Sequence, residues 1–140
     1  MDGLSAAASV VAVINISAKV ATLCFQYSAA VKDAKEDIER LKKKVVDIKD
    51  VLEKWEQLLR RADKTRLPAT HELKDSLNGC FGRLQELEIQ LKPGRTRKAM
   101  SRLGGRALKW PFKSKEIEKI IATLEKHEQT FFLSLQVDQT

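Results

Sequence analysis

The chain has 140 residues and a 43% hydrophobic content, enough for one domain over 1–140 with a single core that needs no metal or disulfide support. Three prolines and six glycines are few, which favours long helices over a strand-rich fold. The net charge of +7 is local: Lys92–Lys115 holds nine Lys/Arg and no Asp or Glu, and removing those nine cations from +7 leaves the rest at −2. An anionic partner should therefore meet the chain there. Cys24 and Cys80 sit inside apolar patterns, as buried, reduced thiols of an intracellular protein do; a single bridge between them has no support in their spacing.

The first element runs over roughly Leu4–Val31. It is rich in alanine, valine and isoleucine, and Lys19 is its one charge. Its length and alanines predict a helix, with Ser5 as the N-cap. Residues 3–18 are uncharged but follow Asp2 rather than a basic n-region, so the segment reads as retained in the mature protein. Ser5, Ser9, Asn15, Ser17 and Lys19 make it polar for a membrane span. Small residues recur at every fourth position, in Gly3–Ala7, Ala8–Ala12, Ser5–Ser9 and Ser17–Ala21, a spacing that lets helix backbones approach closely. The expectation for the resting protein is a central helix buried on every side. Full insertion into a bilayer would cost about 3 kcal/mol for a centred Lys19, and less if the side chain reaches an interface.

The second element carries the clearest periodicity. Ile38, Leu41, Val45, Ile48, Leu52, Trp55 and Leu59 alternate spacings of three and four, drawing one apolar stripe on a helix whose other faces carry mixed charge. Pro68 predicts a stop near Asp63. In the third, Leu73, Leu77, Cys80, Leu84, Leu87 and Leu91 repeat the device behind Thr70 as a simple cap, and Pro93–Gly94 ends it. Gly79 and Gly82 weaken this helix, by about 1 kcal/mol each against alanine, and point to close approach of a neighbour. Met100, Leu103 and Ala107 offer an edge for a short additional helix, broken at Gly104–Gly105. Trp110-Pro111-Phe112 marks a corner whose aromatics anchor in the core. The last helix begins near Ser114, with Glu116 at the positive end of its dipole, and buries Ile117, Ile120, Ile121, Leu124, Phe131 and Leu135, while Phe132 and Leu133 add apolar surface elsewhere. The fold class is all-α, a four- to five-helix bundle with antiparallel long helices.

Catalytic signatures are missing from the sequence. It has no phosphate loop, zinc spacing or nucleophile elbow, and its acids lie on mixed-charge faces rather than as an isolated pair. His71 and His127 are far apart, and a shared metal site with Cys24 or Cys80 is weaker than the plain reading of His127 on a helix surface. The expectation is a protein without enzymatic activity, cofactor or metal. The basic segment reads as a contact for anionic phospholipid through Arg95, Arg97, Lys98, Arg102, Arg106 and Lys109, each near such a surface contributing about 1 kcal/mol. A solvated connection is the plain alternative, and nucleic acid is not expected, since no recognition motif accompanies the charge.

Two stretches carry a family resemblance. Met1-Asp2-Gly3-Leu4-Ser5-Ala6-Ala7-Ala8-Ser9-Val10-Val11-Ala12-Val13-Ile14 resembles the start of fungal HeLo-like domains, as do Leu108-Lys109-Trp110-Pro111-Phe112-Lys113 and the closing Leu133-Ser134-Leu135-Gln136-Val137-Asp138. The resemblance implies the N-terminal effector domain of a fungal NOD-like receptor, followed in the same chain by a nucleotide-binding domain. It is similar to the bundle of the mixed-lineage kinase-like pseudokinase and to plant resistance coiled-coil domains. It further implies self-association, regulated cell death, and a cytoplasmic protein that moves to the plasma membrane on activation. The family's first helix maps onto Gly3–Ala21, and the membrane-engaging positions implied are Gly3, Leu4, Ala7, Val10, Val11, Ile14 and Leu23. Gly3 is the one glycine there, a departure from a strict glycine zipper. The alternative is a helical protein-interaction and oligomerisation adaptor without membrane activity.

Overall fold

The stripes require partners, and each finds them in a neighbouring helix. The structure is a computed structural model that describes residues 2–61, 71–92 and 109–139, with side chains over 7–58, 73–92 and 109–134. It contains α1 (Asp2–Ala30), α2 (Lys35–Arg61), α3 (His71–Leu91) and α4 (Ser114–Gln139), with no strand among the described residues. The chain is an all-α helical bundle. The short helix expected over Met100–Ala107, the Thr70 cap and the Asp63 stop lie outside the described residues.

α1 lies against α2 and α3, and α4 lies against the same two, so α1 and α4 occupy one diagonal of a square and α2 and α3 the other. Named contacts fix the directions. Residues 31–34 reverse the chain between α1 and α2, which run antiparallel. The Tyr27 hydroxyl donates to the Leu91 carbonyl at 2.8 Å, joining the final turns of α1 and α3, which therefore run parallel. At the opposite end the Trp55 indole N–H donates to the Phe131 carbonyl at 3.1 Å, while at the Tyr27 end the Ser114 hydroxyl donates to Asp37 at 2.7 Å, so α2 and α4 also run parallel. Sequence-adjacent α2 and α3 thus face each other across a diagonal.

The periodic stripes of α2 and α3 fill the core as their spacing predicts wherever side chains are described; Leu59 lies outside them. Ile38, Leu41, Val45, Ile48, Leu52 and Trp55 are buried, as are Leu73, Leu77, Cys80, Leu84, Leu87 and Leu91, and Val51 joins them. On α4 Ile117, Ile120, Leu124 and Phe131 are buried as expected, Ile121 is half-buried, and the Leu135 side chain lies outside the described residues. The start of α1 differs from expectation, while α4 begins at Ser114 as expected. α1 begins at Asp2, so Ser5 lies within its first turn and is not its cap. At α4 the Lys113 N–H donates to the Glu116 carboxylate at 3.1 Å, and the Lys113 carbonyl accepts from Ile117, which is half of a capping box. Ala34 takes φ 72° immediately before α2, a left-handed conformation that costs a non-glycine residue about 1 kcal/mol.

α1 departs most from the sequence reading. Its buried positions are Val10, Val13, Ile16, Ser17, Val20, Cys24 and Tyr27, one stripe and not the whole surface. Ala8, Val11, Asn15, Lys19, Thr22, Phe25 and Gln26 are exposed. The expectation of a helix buried on every side fails because a corner helix has two neighbours, not a surrounding ring. The buried Ser17 hydroxyl also has no hydrogen-bond partner among the described residues, which weakens that stripe by about 1–3 kcal/mol.

Between α3 and α4, His127 is half-buried and not on an open helix surface. Its Nδ1 shares a 2.8 Å hydrogen bond with Ser76 Oγ, and its ring lies over Gly79, where an added Cβ would come within 3.0 Å of Cε1. Gly79 therefore permits the close approach expected of it, whereas a Cβ at Gly82 meets nothing within 4 Å. Lys44 bonds Glu128 at 2.8 Å between α2 and α4. Burial alone would lower the Lys44 pKa, but the hydrogen bond and charge of Glu128, with Glu125 and Asp47 nearby, hold it above its ordinary value.

Gly82→Ala should stabilise the domain by about 1 kcal/mol through helix propensity, while Gly79→Ala should lose that gain against the His127 ring. Chemical denaturation of the two variants beside the wild type checks the contrast. Burial also holds the His127 pKa below its ordinary value, so the unfolded chain takes up the proton first. Asp75 and Ser76 on α3, with Lys126 on its own helix, border the ring. The His127 contribution should be fully present above pH about 6.5 and be lost as pH falls through the lower folded value. His127→Gln should then show a smaller fall in melting temperature than the wild type between neutral and mildly acidic pH.

Candidate functional site: the open face of the first helix and the basic corner

An apolar helix with one face on a core leaves its other apolar residues in water. On α1 these include Val11, 39% exposed, and Phe25, 59% exposed. Lys19 lies on the same side, and the Lys42 ammonium of α2 stands 5.2 Å from the centre of the Phe25 ring. Ala7–Ala30, 24 residues, is long and apolar enough by composition to cross a membrane, although core helices of soluble proteins pass the same test. The polar residues of its first half are offset by Leu23–Tyr27 further along, which the shorter reading of 3–18 did not include.

The implied membrane-engaging residues divide by face. Val10 is in the core at 2% exposure, Ala7, Ile14 and Leu23 are half-buried, and Val11 points outward. Gly3 and Leu4 belong to the first turns of α1, and their side chains lie outside the described residues. Phe25 escaped the sequence reading. The signal was present, since 8, 11, 15, 19, 22 and 26 follow helical spacing on the side opposite the buried stripe, with Phe25 beside them. Leu23, with Ala18, Lys19, Thr22, Glu88 and Lys92, lines an open groove of about 380 Å³ between α1 and α3.

The basic segment is described at its two ends. Lys92, Lys109, Lys113 and Lys115 are exposed, while Arg95, Arg97, Lys98, Arg102 and Arg106 lie outside the described residues. Between these lysines the expected aromatic corner is in place. Trp110 meets Tyr27 edge to face with ring centres 5.4 Å apart, and Phe112 at 5.3 Å, and Phe112 is buried. The indole nitrogen of Trp110 is buried with no partner among the described residues.

Among the described residues no group of three or more His, Cys, Asp or Glu is placed to hold a metal. Cys24 and Cys80 are free and buried. Burial pushes both thiols up to about 12, against which nearby Lys42 acts weakly at Cys24. Neither is a thiolate nucleophile at neutral pH. The arrangement favours contact chemistry: an apolar face beside a cationic corner.

A family model described as "Pigment biosynthesis cluster protein PigL N-terminal" matches residues 1–138. No curated protein and no solved structure matches the chain.

In the native protein both thiols should resist iodoacetamide at pH 8 and label only on unfolding. Mass spectrometry across a urea series checks this, with labelling expected to follow the loss of helical circular dichroism.

Proposed function

The chain belongs to the pigment biosynthesis cluster protein PigL N-terminal family, and from that premise we propose that it is a HeLo-like effector domain of a fungal signalling protein, acting by self-association and membrane engagement of α1. Support for the HeLo-like reading comes from the opening and closing residues named above, together with a helical bundle over the matched length. A NOD-like receptor is the parent protein this reading favours, with a nucleotide-binding domain downstream and regulated cell death as the output.

The observation that carries the proposal is the open face of α1. Val11 and Phe25 already stand in water, and the helix exchanges an incomplete shelter in the bundle for a complete one in lipid. Its length of about 36 Å over Ala7–Ala30 exceeds the roughly 30 Å hydrocarbon thickness. Lys19 is the cost, about 3 kcal/mol at the centre of a span, which self-association or snorkelling reduces. Exposed lysines at the corner add attraction for anionic head groups, about 1 kcal/mol each near the surface.

A second reading, an interaction adaptor that never touches lipid, draws on a different surface. Phe132 and Leu133 are exposed on α4, the latter at 63%, at the corner diagonally across from α1. Such apolar residues suit a protein partner.

Dye release from phosphatidylserine-containing vesicles by the crosslinked protein separates the two. Val11→Glu with Phe25→Glu alters exposed positions and leaves the core intact, and should cut release at least about tenfold, since each charge costs up to about 3 kcal/mol inside a bilayer. Equal release by wild type and variant, or none from either, overturns the membrane reading. Phe132→Glu with Leu133→Glu abolishing self-association in sedimentation, with no release by the wild type, supports the adaptor.

A further inference from the structure

The Trp110 corner joins two features that the proposed function treats separately. Tyr27 is the last core residue of α1, and its ring and hydroxyl make different contacts: the hydroxyl donates to the Leu91 carbonyl, and the ring receives the edge of Trp110. Trp110 lies between Lys109 and Lys113 in sequence, with Lys92 one residue beyond Leu91, and all three lysines are exposed. The closing turn of α1 is thus held by a residue that stands within a cluster of cations.

Trp110 is also imperfectly satisfied where it sits. It packs against the core, yet its N–H is buried and has no hydrogen-bond partner among the described residues, which opposes the docked state. A bilayer interface offers that same side chain an apolar surface for the ring and water or carbonyl oxygen for the N–H, the setting in which tryptophan is enriched. The lysines around it supply attraction to an anionic leaflet. Glu116 is the nearest acid in sequence, and its carboxylate is engaged with the Lys113 N–H.

We propose that the Trp110 corner is the first contact with an anionic bilayer, and that transfer of Trp110 from Tyr27 to the lipid interface unlocks the C-terminal half of α1. The inference rests on the membrane reading for its partner, while the clasp itself is a property of the resting domain. It makes Trp110 a coupling residue: the lysines sense the surface, the indole moves, and α1 loses one of the contacts at its closing turn. The Tyr27–Leu91 hydrogen bond remains, so release is graded.

The test combines hydrogen exchange with quenching by brominated phosphatidylcholine mixed with phosphatidylserine, using the whole chain. On vesicle binding, exchange in residues 18–30 should rise at least roughly tenfold while 35–58 stay protected. Part of the tryptophan emission should be quenched, and that part should vanish in Trp110→Phe, leaving Trp55, which is core-buried and bonded to Phe131. Without vesicles, Trp110→Ala should speed exchange in 18–30 by about the same factor and leave 35–58 unchanged. Trp110→Phe keeps an aromatic contact and removes the unpaired N–H, so it should raise the melting temperature and blunt the vesicle-induced exchange. If Trp110→Ala loses its fold and exchanges throughout, Tyr27→Phe, which deletes the bond to Leu91 and keeps the ring, should still speed exchange selectively in 18–30. Uniform or unchanged exchange in both Trp110→Ala and Tyr27→Phe overturns the clasp. Wild type that sediments with vesicles while its Trp110 emission is unquenched overturns the lipid transfer. Failure to sediment with these vesicles at all overturns the membrane reading, and the exchange of the two variants in solution then decides the clasp alone.

Discussion

A helix at the corner of a four-helix square touches two neighbours, and two neighbours cover one side of a cylinder. For α2 this is no hardship, because its unburied sides are charged. For α1 it is a constraint that shapes everything else, since its open side carries Val11 and Phe25 among Asn15, Lys19, Thr22 and Gln26. Its buried stripe from Val10 to Tyr27 meets α2 and α3, and the remaining apolar residues have nowhere in the bundle to go. Ser17 lies within the stripe and brings a buried hydroxyl with no hydrogen-bond partner among the described residues. The helix is therefore held by less than its composition offers, and the contacts at its final turn, Tyr27 with Leu91 and Trp110, carry a larger share of its attachment.

The other helices show what a fully committed element looks like. On α2 six stripe positions are buried and the intervening charges are solvated, with Lys44 reaching Glu128 to tie α2 to α4. Gly79 lets the His127 ring settle over α3, and Ser76 satisfies its Nδ1. Each such feature pairs a local sequence choice with a tertiary contact, which is the consistency expected of a sequence that specifies one structure. α1 conforms least, and the proposed membrane role rests on that departure.

Much of this fold was legible from spacing alone. Stripes such as Ile38–Trp55 and Leu73–Leu91 named their buried residues because charge on the other faces left one solution for each helix. Trp110 and Phe112 were legible as anchors because a proline between them forces a corner. What could not be read was which side of α1 would be buried. Periodicity identifies a face by contrast, and a helix of alanine, valine and isoleucine has little contrast; the choice was made by α2 and α3, through contacts distant in sequence. Val10 and Val11 are adjacent and chemically identical, yet one lies in the core and the other in water. Phe25 was missed for the same reason. Partners also escaped the sequence at Tyr27, Trp55 and Ser76, because hydrogen bonds to residues 64, 76 and 51 positions away leave no local trace.

The reversal at residues 31–34 sets a limit on any excursion of α1. Four extended residues reach at most about 14 Å. A first helix freed from its neighbours keeps its carboxyl end moored beside the start of α2, and only its amino end travels. At 29 residues that end sweeps an arc of roughly 43 Å radius about the mooring. The motion is that of a blade on a pivot: it is directional, it delivers Asp2 and not Ala30 to whatever lies beyond, and it leaves the remaining three helices behind as the handle.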